Sequence, residues 1–226
     1  MILDSILDNF RKFNCVPSPE LLDYAISCDS FAQDKISTNE FLKEVCLYLD
    51  ESAIRLQALS ASINRYKEPH MGDVFTESIN MMVTAILNHP IFDGCDWKVS
   101  SEYNFYLNNG RYIKPDVGIY RDGKLFSAFE CKSNLGYDRI EWEKSFGSRV
   151  DLYSDNGLKD NAVFLIVATE SNWSGFPAHD IRTGKSWFLL ANKGTWYGGK
   201  NNNKPLHESP NFGVIDRVME ALIEIA

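Results

Sequence analysis

Three short stretches of alternating apolar and polar residues occupy the middle of the chain. Lys98 to Leu107 ends at Asn108-Asn109-Gly110, Ile113 to Tyr120 ends at Asp122-Gly123, and Leu125 to Cys131 closes the run. Asn-Gly and Asp-Gly between β-branched and aromatic segments are strong hairpin signals, so the pattern predicts a three-stranded meander. Upstream, Val74, Phe75, Met81, Met82, Ile86 and Leu87 recur at helical spacing and predict a helix over Met71 to Leu87. Downstream, Trp142, Phe146, Val150 and Tyr153 mark one side of a helix over Tyr137 to Tyr153. Asn161 to Thr169 is a continuous apolar run, as expected of a strand buried on both faces. Ser186 to Ala191 reads as a further strand and Asp216 to Ile225 as a closing amphipathic helix.

Register decides which side chains meet across the second turn. With a three-residue loop of Asp122, Gly123 and Lys124, Arg121 pairs with Leu125 and Asp116 with Glu130. Residues two apart on a strand share a face, which adds Lys132 to that pair. Facing residues have Cβ atoms about 4.5–5.5 Å apart, so both carboxylates can reach one ion. The opposite face then carries Val117, Ile119, Phe129 and Cys131, a plausible core. A two-residue loop would slip the register by one and put Asp116 on the wrong side.

Pro115-Asp116, then thirteen residues, then Glu130-Cys131-Lys132 resembles the signature of the PD-(D/E)xK nuclease superfamily, which includes many restriction endonucleases and Holliday-junction resolvases. The resemblance covers Met71 to Thr169, the family's helix, meander, helix and strand. It implies an α/β fold with a restriction-endonuclease-like core, a mixed central sheet flanked by helices, over residues 67–226. Residues 1–66 would form a helical N-terminal subdomain packed on that core. Ile6, Phe10 and Phe13, then Leu21 to Ile26, then Phe41 to Ile63, supply its apolar positions.

The implied activity is metal-dependent hydrolysis of DNA phosphodiester bonds. Mg²⁺, for which Mn²⁺ can substitute, stabilises charge on the scissile phosphate and activates water. It needs few protein carboxylates because it keeps waters and binds phosphate oxygens. Asp116 and Glu130 are the expected metal ligands, with the Cys131 carbonyl as a third. Lys132 would orient or deprotonate the attacking water, or stabilise charge developing at phosphorus. Family members often carry a glutamate on the helix before the meander. Glu77, beside the apolar stripe of that helix, is the candidate, with Glu68 and Asp73 as alternates. The resemblance points to an endonuclease of restriction or defence type, homodimeric because two sites cut two strands. The alternatives are a structure-specific repair or recombination nuclease and a catalytically silent DNA-binding module.

The formal net charge of −8 and pI of about 5.0 exclude a broadly basic, sequence-indifferent nucleic-acid binder. Charge is nevertheless uneven. No acidic residue lies between Ile181 and His207, whereas Arg182, Lys185, Lys193, Lys200 and Lys204 all do, interleaved with Trp187, Trp196 and Tyr197. Cations supply phosphate affinity, so this stretch is a candidate DNA-contacting arm.

Other motifs carry less. Gly194 to Lys200 fits G-x-x-x-x-G-K, but Asn201 stands where a P-loop needs Ser or Thr, so no nucleotide cofactor is expected. Four dispersed histidines and five widely spaced cysteines form no metal or disulfide framework, which fits a cytoplasmic protein. Met1 opens an amphipathic helix rather than a signal peptide, and no apolar run approaches membrane-spanning length.

Overall fold

The computed structural model describes residues 1–62, 71–94, 96–133, 139–169, 186–192 and 205–226. Three helices come first: α1 (Ile2–Lys12), α2 (Pro19–Ala32) and α3 (Thr38–Ser62). Their starts are encoded locally. Ser18 accepts from the Leu21 N–H, with Pro19 in the first turn of α2. Ser37 and Glu40 form a reciprocal capping box before α3, with the Ser37 N–H donating to Glu40 at 2.9 Å and the Glu40 N–H to Ser37 at 3.2 Å. α4 (Met71–Leu87) follows, burying Phe75, Ile79, Met82, Val83 and Ile86.

Among the described residues five strands make the main sheet: β1 (Trp97–Ser101), β4 (Val117–Arg121), β5 (Lys124–Lys132), β6 (Val163–Thr169) and β7 (Trp187–Ala191), in that spatial order. β4 is antiparallel to its neighbours β1 and β5, and β6 and β7 continue parallel to β5. The β5-to-β6 connection runs through α5 (Arg139–Ser154), the crossover that a parallel pair requires. Every residue of β6 is buried, as its apolar run predicts. α6 (Val214–Ile225) closes the fold. The result is a mixed α/β architecture with helices on the sheet. One hydrophobic cluster runs from Tyr24 and Phe41 through the sheet to Ile225, so the first helices share the core of the strands. No helix among the described residues is long and apolar enough to cross a membrane.

Two details differ from the sequence expectation. The first predicted strand is split. Backbone φ turns positive at Glu102 (48°), β1 ends at Ser101, and Phe105–Tyr106 (β2) pairs with Tyr112–Ile113 (β3) as a separate two-stranded hairpin. The turn after β4 is also shorter than expected. Arg121 pairs with Lys124, not Leu125, across Asp122-Gly123. Both turn residues have positive φ, 51° and 74°, the twist that a two-residue hairpin prefers. Such a turn would put Asp116 on the wrong face, but the strand corrects itself. Tyr120 faces Leu125 while Ile119 faces Ser127, leaving Phe126 as an extra, bulged residue. Beyond the bulge Val117 faces Phe129, so the next step outward brings Asp116 level with Glu130.

Phe126 therefore sets register by its presence more than by its ring. Phe126→Ala keeps the residue count and trims a half-buried contact with Trp97 (centroids 4.7 Å apart). It is expected to cost about 1–2 kcal/mol. Deleting Phe126 forces either the core residues or the Asp116–Glu130 pair onto the wrong face, with an expected cost of about 4 kcal/mol or more. Urea unfolding of both variants beside wild type measures this. Equal losses would show that the bulge does not hold the register.

Candidate functional site

The two faces of the sheet are covered by different helices. The Asn80 amide on α4 donates to the Ser101 hydroxyl at 2.6 Å, and Ser101 pairs with Val117. α4 thus covers the face of Val117, Ile119, Phe129 and Cys131. α5 covers the other face, where its Arg149 approaches Glu130. Asp116, Gly118, Tyr120, Ala128, Glu130 and Lys132 belong to this second face by strand alternation.

Asp116 sits where β4 begins. The Pro115 carbonyl accepts from the Glu102 N–H, on the β1 side. The Cys131 N–H donates to the Asp116 carboxylate at 2.7 Å. In extended backbone the N–H and C=O of one residue point the same way, so the Cys131 carbonyl also faces the Asp116 side. The Lys132 ammonium reaches the same Asp116 oxygen at 3.1 Å and Glu130 Oε2 at 3.9 Å. Asp116 and Lys132 are each about one-quarter exposed, whereas the Glu130 side chain is only 7% exposed.

Burial is what distinguishes Glu130. It raises the carboxyl above the ordinary glutamate value of 4.5, and the negative charge of Asp116 pushes the same way. Arg149 and Lys132 oppose the rise without cancelling it. Arg149 Nη1 lies 3.7 Å from Glu130 Oε1, beyond hydrogen-bond range, and that buried oxygen has no hydrogen-bond partner among the described residues. The buried Tyr153 hydroxyl, on the same helix as Arg149, is likewise without a hydrogen-bond partner among the described residues. Its ionisation is pushed up by burial first and then by the Glu130 charge. An orphaned carboxylate oxygen is costly in an apolar setting unless a cation meets it. Two oxygen-donor carboxylates and an adjacent carbonyl suit a hard divalent ion, Mg²⁺ or Mn²⁺.

The expected site residues are thus distributed unevenly. Asp116, Glu130, Cys131 and Lys132 come together. Glu77 does not join them. It is exposed on α4, lines a groove of about 730 Å³ shared with α1 and α2, and its charge acts on Tyr48 and on the Cys131 thiol. Among the described residues no three His, Cys, Asp or Glu side chains converge as a metal cluster, and Asp116 and Glu130 are the two carboxylates that Lys132 approaches. Arg182, Lys185, Lys193, Lys200 and Lys204 lie outside the described residues, as does Glu68. Sequence reasoning missed Arg149. Its signal was available, because it stands one turn before Tyr153 and so shares the sheet-facing side of α5.

No protein-family model and no curated protein matches the chain.

The raised ionisation of Glu130 has a thermodynamic consequence. As pH rises through 4.5 the unfolded chain releases this proton first, and the folded protein follows only at higher pH. The unfolded state is then favoured, so Glu130 lowers stability across that window and beyond it. Glu130→Gln keeps the shape and removes the charge. Its stability relative to wild type is expected to improve as pH rises above 4.5, and to level off once the folded protein has also released the proton. Urea unfolding at a series of pH values checks this, and a constant difference between the two proteins would refute it.

Proposed function

We propose that this protein is a metal-dependent deoxyribonuclease with a restriction-endonuclease-like core, in which Asp116, Glu130 and Lys132 do the chemistry. The observation that carries the reading is the shared Lys132 ammonium between two carboxylates, one of them buried with a free oxygen. A structural ion pair has no need to bury a carboxylate oxygen without a partner. A cation-binding site does, because the ion supplies what the protein withholds.

The residues divide the work as follows. Asp116, held by the Cys131 N–H, and Glu130, held beneath α5, would ligate Mg²⁺ or Mn²⁺ together with the Cys131 carbonyl. Bound there, the metal supplies charge stabilisation for the phosphate and acidifies a water. Lys132, 3.1 Å from Asp116, is placed to orient or deprotonate that water, or to offset charge developing at phosphorus. The narrower reading is an endonuclease of restriction or defence type, acting as a homodimer on DNA. A structure-specific nuclease is the second reading, favoured by exposed tyrosines on the β2–β3 hairpin.

Purified protein is expected to cut supercoiled plasmid or phage DNA with Mg²⁺ or Mn²⁺, and Lys132→Ala to slow cutting about 10²–10³-fold. Discrete fragments identify a sequence-specific endonuclease. Nicking or smearing that depends on Lys132 identifies the structure-specific kind. No cleavage of linear, branched or single-stranded DNA with either metal would overturn the activity and leave a DNA-binding module.

Metal binding is measurable without DNA. Mn²⁺ at about tenfold its dissociation constant stabilises by about 1.4 kcal/mol, which for a chain of this size raises the melting temperature by about 4 °C. Asp116→Asn is expected to abolish the rise. A shift that survives the substitution would place the ion elsewhere.

A further inference from the structure

The segment between β1 and β4 carries more than a connection requires. From Tyr103 to Pro115 it contains no acidic residue, although the chain as a whole has a formal charge of −8. Arg111 and Lys114 are its charges, and Asn104, Asn108 and Asn109 its amides. Three tyrosines that would ordinarily seek partial burial stand in the open, Tyr103 at 55%, Tyr106 at 67% and Tyr112 at 54% exposure. Tyr106 and Tyr112 face each other edge-on across the hairpin, with centroids 6.1 Å apart. The Lys98 ammonium stands 5.8 Å from the Tyr103 ring centroid.

The hairpin is held in place rather than splayed into solvent. The Asn108 N–H donates to the Asn156 side chain at 2.6 Å, and the Asn108 amide to the Asp155 carbonyl at 3.1 Å. Phe105 packs against Tyr153 of α5, with centroids 5.7 Å apart. These anchors put the hairpin on the α5 side of the sheet, the face that carries Asp116 and Glu130. Beneath it lies a cleft of about 400 Å³ lined by Tyr103, Phe105, Tyr106, Tyr120, Lys124 and Asn156. That is large enough for a small ligand such as a nucleobase. Tyr120 shares a face with Asp116 and lies four residues along the same strand, about 13 Å away. Gly118 between them is essential to this arrangement. A Cβ there would lie 2.7 Å from Cε2 and 2.9 Å from the hydroxyl of Tyr120.

From this we infer that the hairpin and its cleft bind unpaired, single-stranded DNA, which they lead to the Asp116–Glu130 patch. The inference rests on the nuclease reading for what happens to the strand, but not for its binding. Tyrosine rings stack on the π-face of any unpaired base, contributing about 1–3 kcal/mol per base. Bases in an intact duplex are already stacked and paired, so they offer no free face to Tyr106 and Tyr112. Arg111 and Lys124 supply phosphate contacts along the same track, whereas Lys114 is already paired with Glu102 at 3.9 Å.

The test is fluorescence anisotropy of a labelled single-stranded oligodeoxynucleotide with the full chain, in EDTA so that nothing is cut. A duplex of the same sequence runs beside it. Wild type is expected to bind the single strand more tightly than the duplex. Tyr106→Ala with Tyr112→Ala is expected to weaken single-strand binding by about tenfold per ring. Tyr106→Phe with Tyr112→Phe keeps the rings and is expected to keep the affinity. Unfolding curves of the variants show that the fold is intact, since both rings are exposed. Unchanged single-strand affinity in the double alanine variant overturns the inference, as does a preference for duplex. Ring-dependent binding by a protein that cuts nothing with either metal would sustain the inference while removing the nuclease reading.

Discussion

The arrangement of this molecule depends on the register between β4 and β5. Side chains alternate across a sheet with a period of two, so a slip of one residue exchanges the faces completely. On one face Val117, Ile119, Phe129 and Cys131 pack under α4, and on the other Asp116, Glu130 and Lys132 meet under α5. The two sets cannot be satisfied separately. The same pairing that buries the aromatic and β-branched residues also opposes the carboxylates. The Phe126 bulge is where this is decided, because it adds the one residue that the Asp122-Gly123 turn leaves out. Core and candidate site therefore share one structural cause.

Within that frame the pressing electrostatic fact is the burial of Glu130. A carboxylate this enclosed is tolerated in soluble proteins when it is paired and hydrogen-bonded. Here Lys132 lies 3.9 Å from one oxygen and Arg149 3.7 Å from the other, both at the outer reach of an ion pair. Neither gives a hydrogen bond, so among the described residues the charge is only partly offset. Structural positions rarely keep such a residue, because a glutamine or an apolar side chain would fill the space at lower cost. Sites that bind cations keep it, since the missing interaction is what the ion provides.

Much of this was legible in the chain, and the failures have specific causes. The helix over Met71 to Leu87, the buried run ending at Thr169 and the strand from Ser186 follow from apolar periodicity alone, and the structure places elements there. The facing of Asp116 and Glu130 was reached by a wrong route. A three-residue turn without a bulge predicts that facing, whereas the structure reaches the same register with a two-residue turn and a bulge. Bulges escape a periodicity argument because Phe126 is apolar and suits either face. The split of the first strand was invisible for a different reason. Positive φ at Glu102 is a conformation that residue type does not announce. Glu77 was chosen by its helical position, yet its surroundings depend on where α1 and α2 dock. Arg149 was passed over because a charge on an amphipathic helix ordinarily reads as solvated.

Acidity bears directly on how such a chain could hold nucleic acid. Phosphate contacts are the usual source of affinity, and they require cations in number. This protein carries 31 acidic against 23 basic residues, so long-range attraction to a duplex is weak or reversed. Stacking works differently. It acts at contact, depends little on net charge, and needs only aromatic faces that the substrate can reach. The β2–β3 hairpin offers Tyr106 and Tyr112 in that condition, inside a segment free of acidic residues. An acidic chain that binds through rings rather than through a basic surface discriminates by base exposure. Paired DNA hides the faces and presents only phosphates, to which the overall charge is unfavourable. Unpaired DNA presents both, so on the proposed binding mode the negative charge that disfavours a duplex would sharpen a preference for the strand the hairpin can stack.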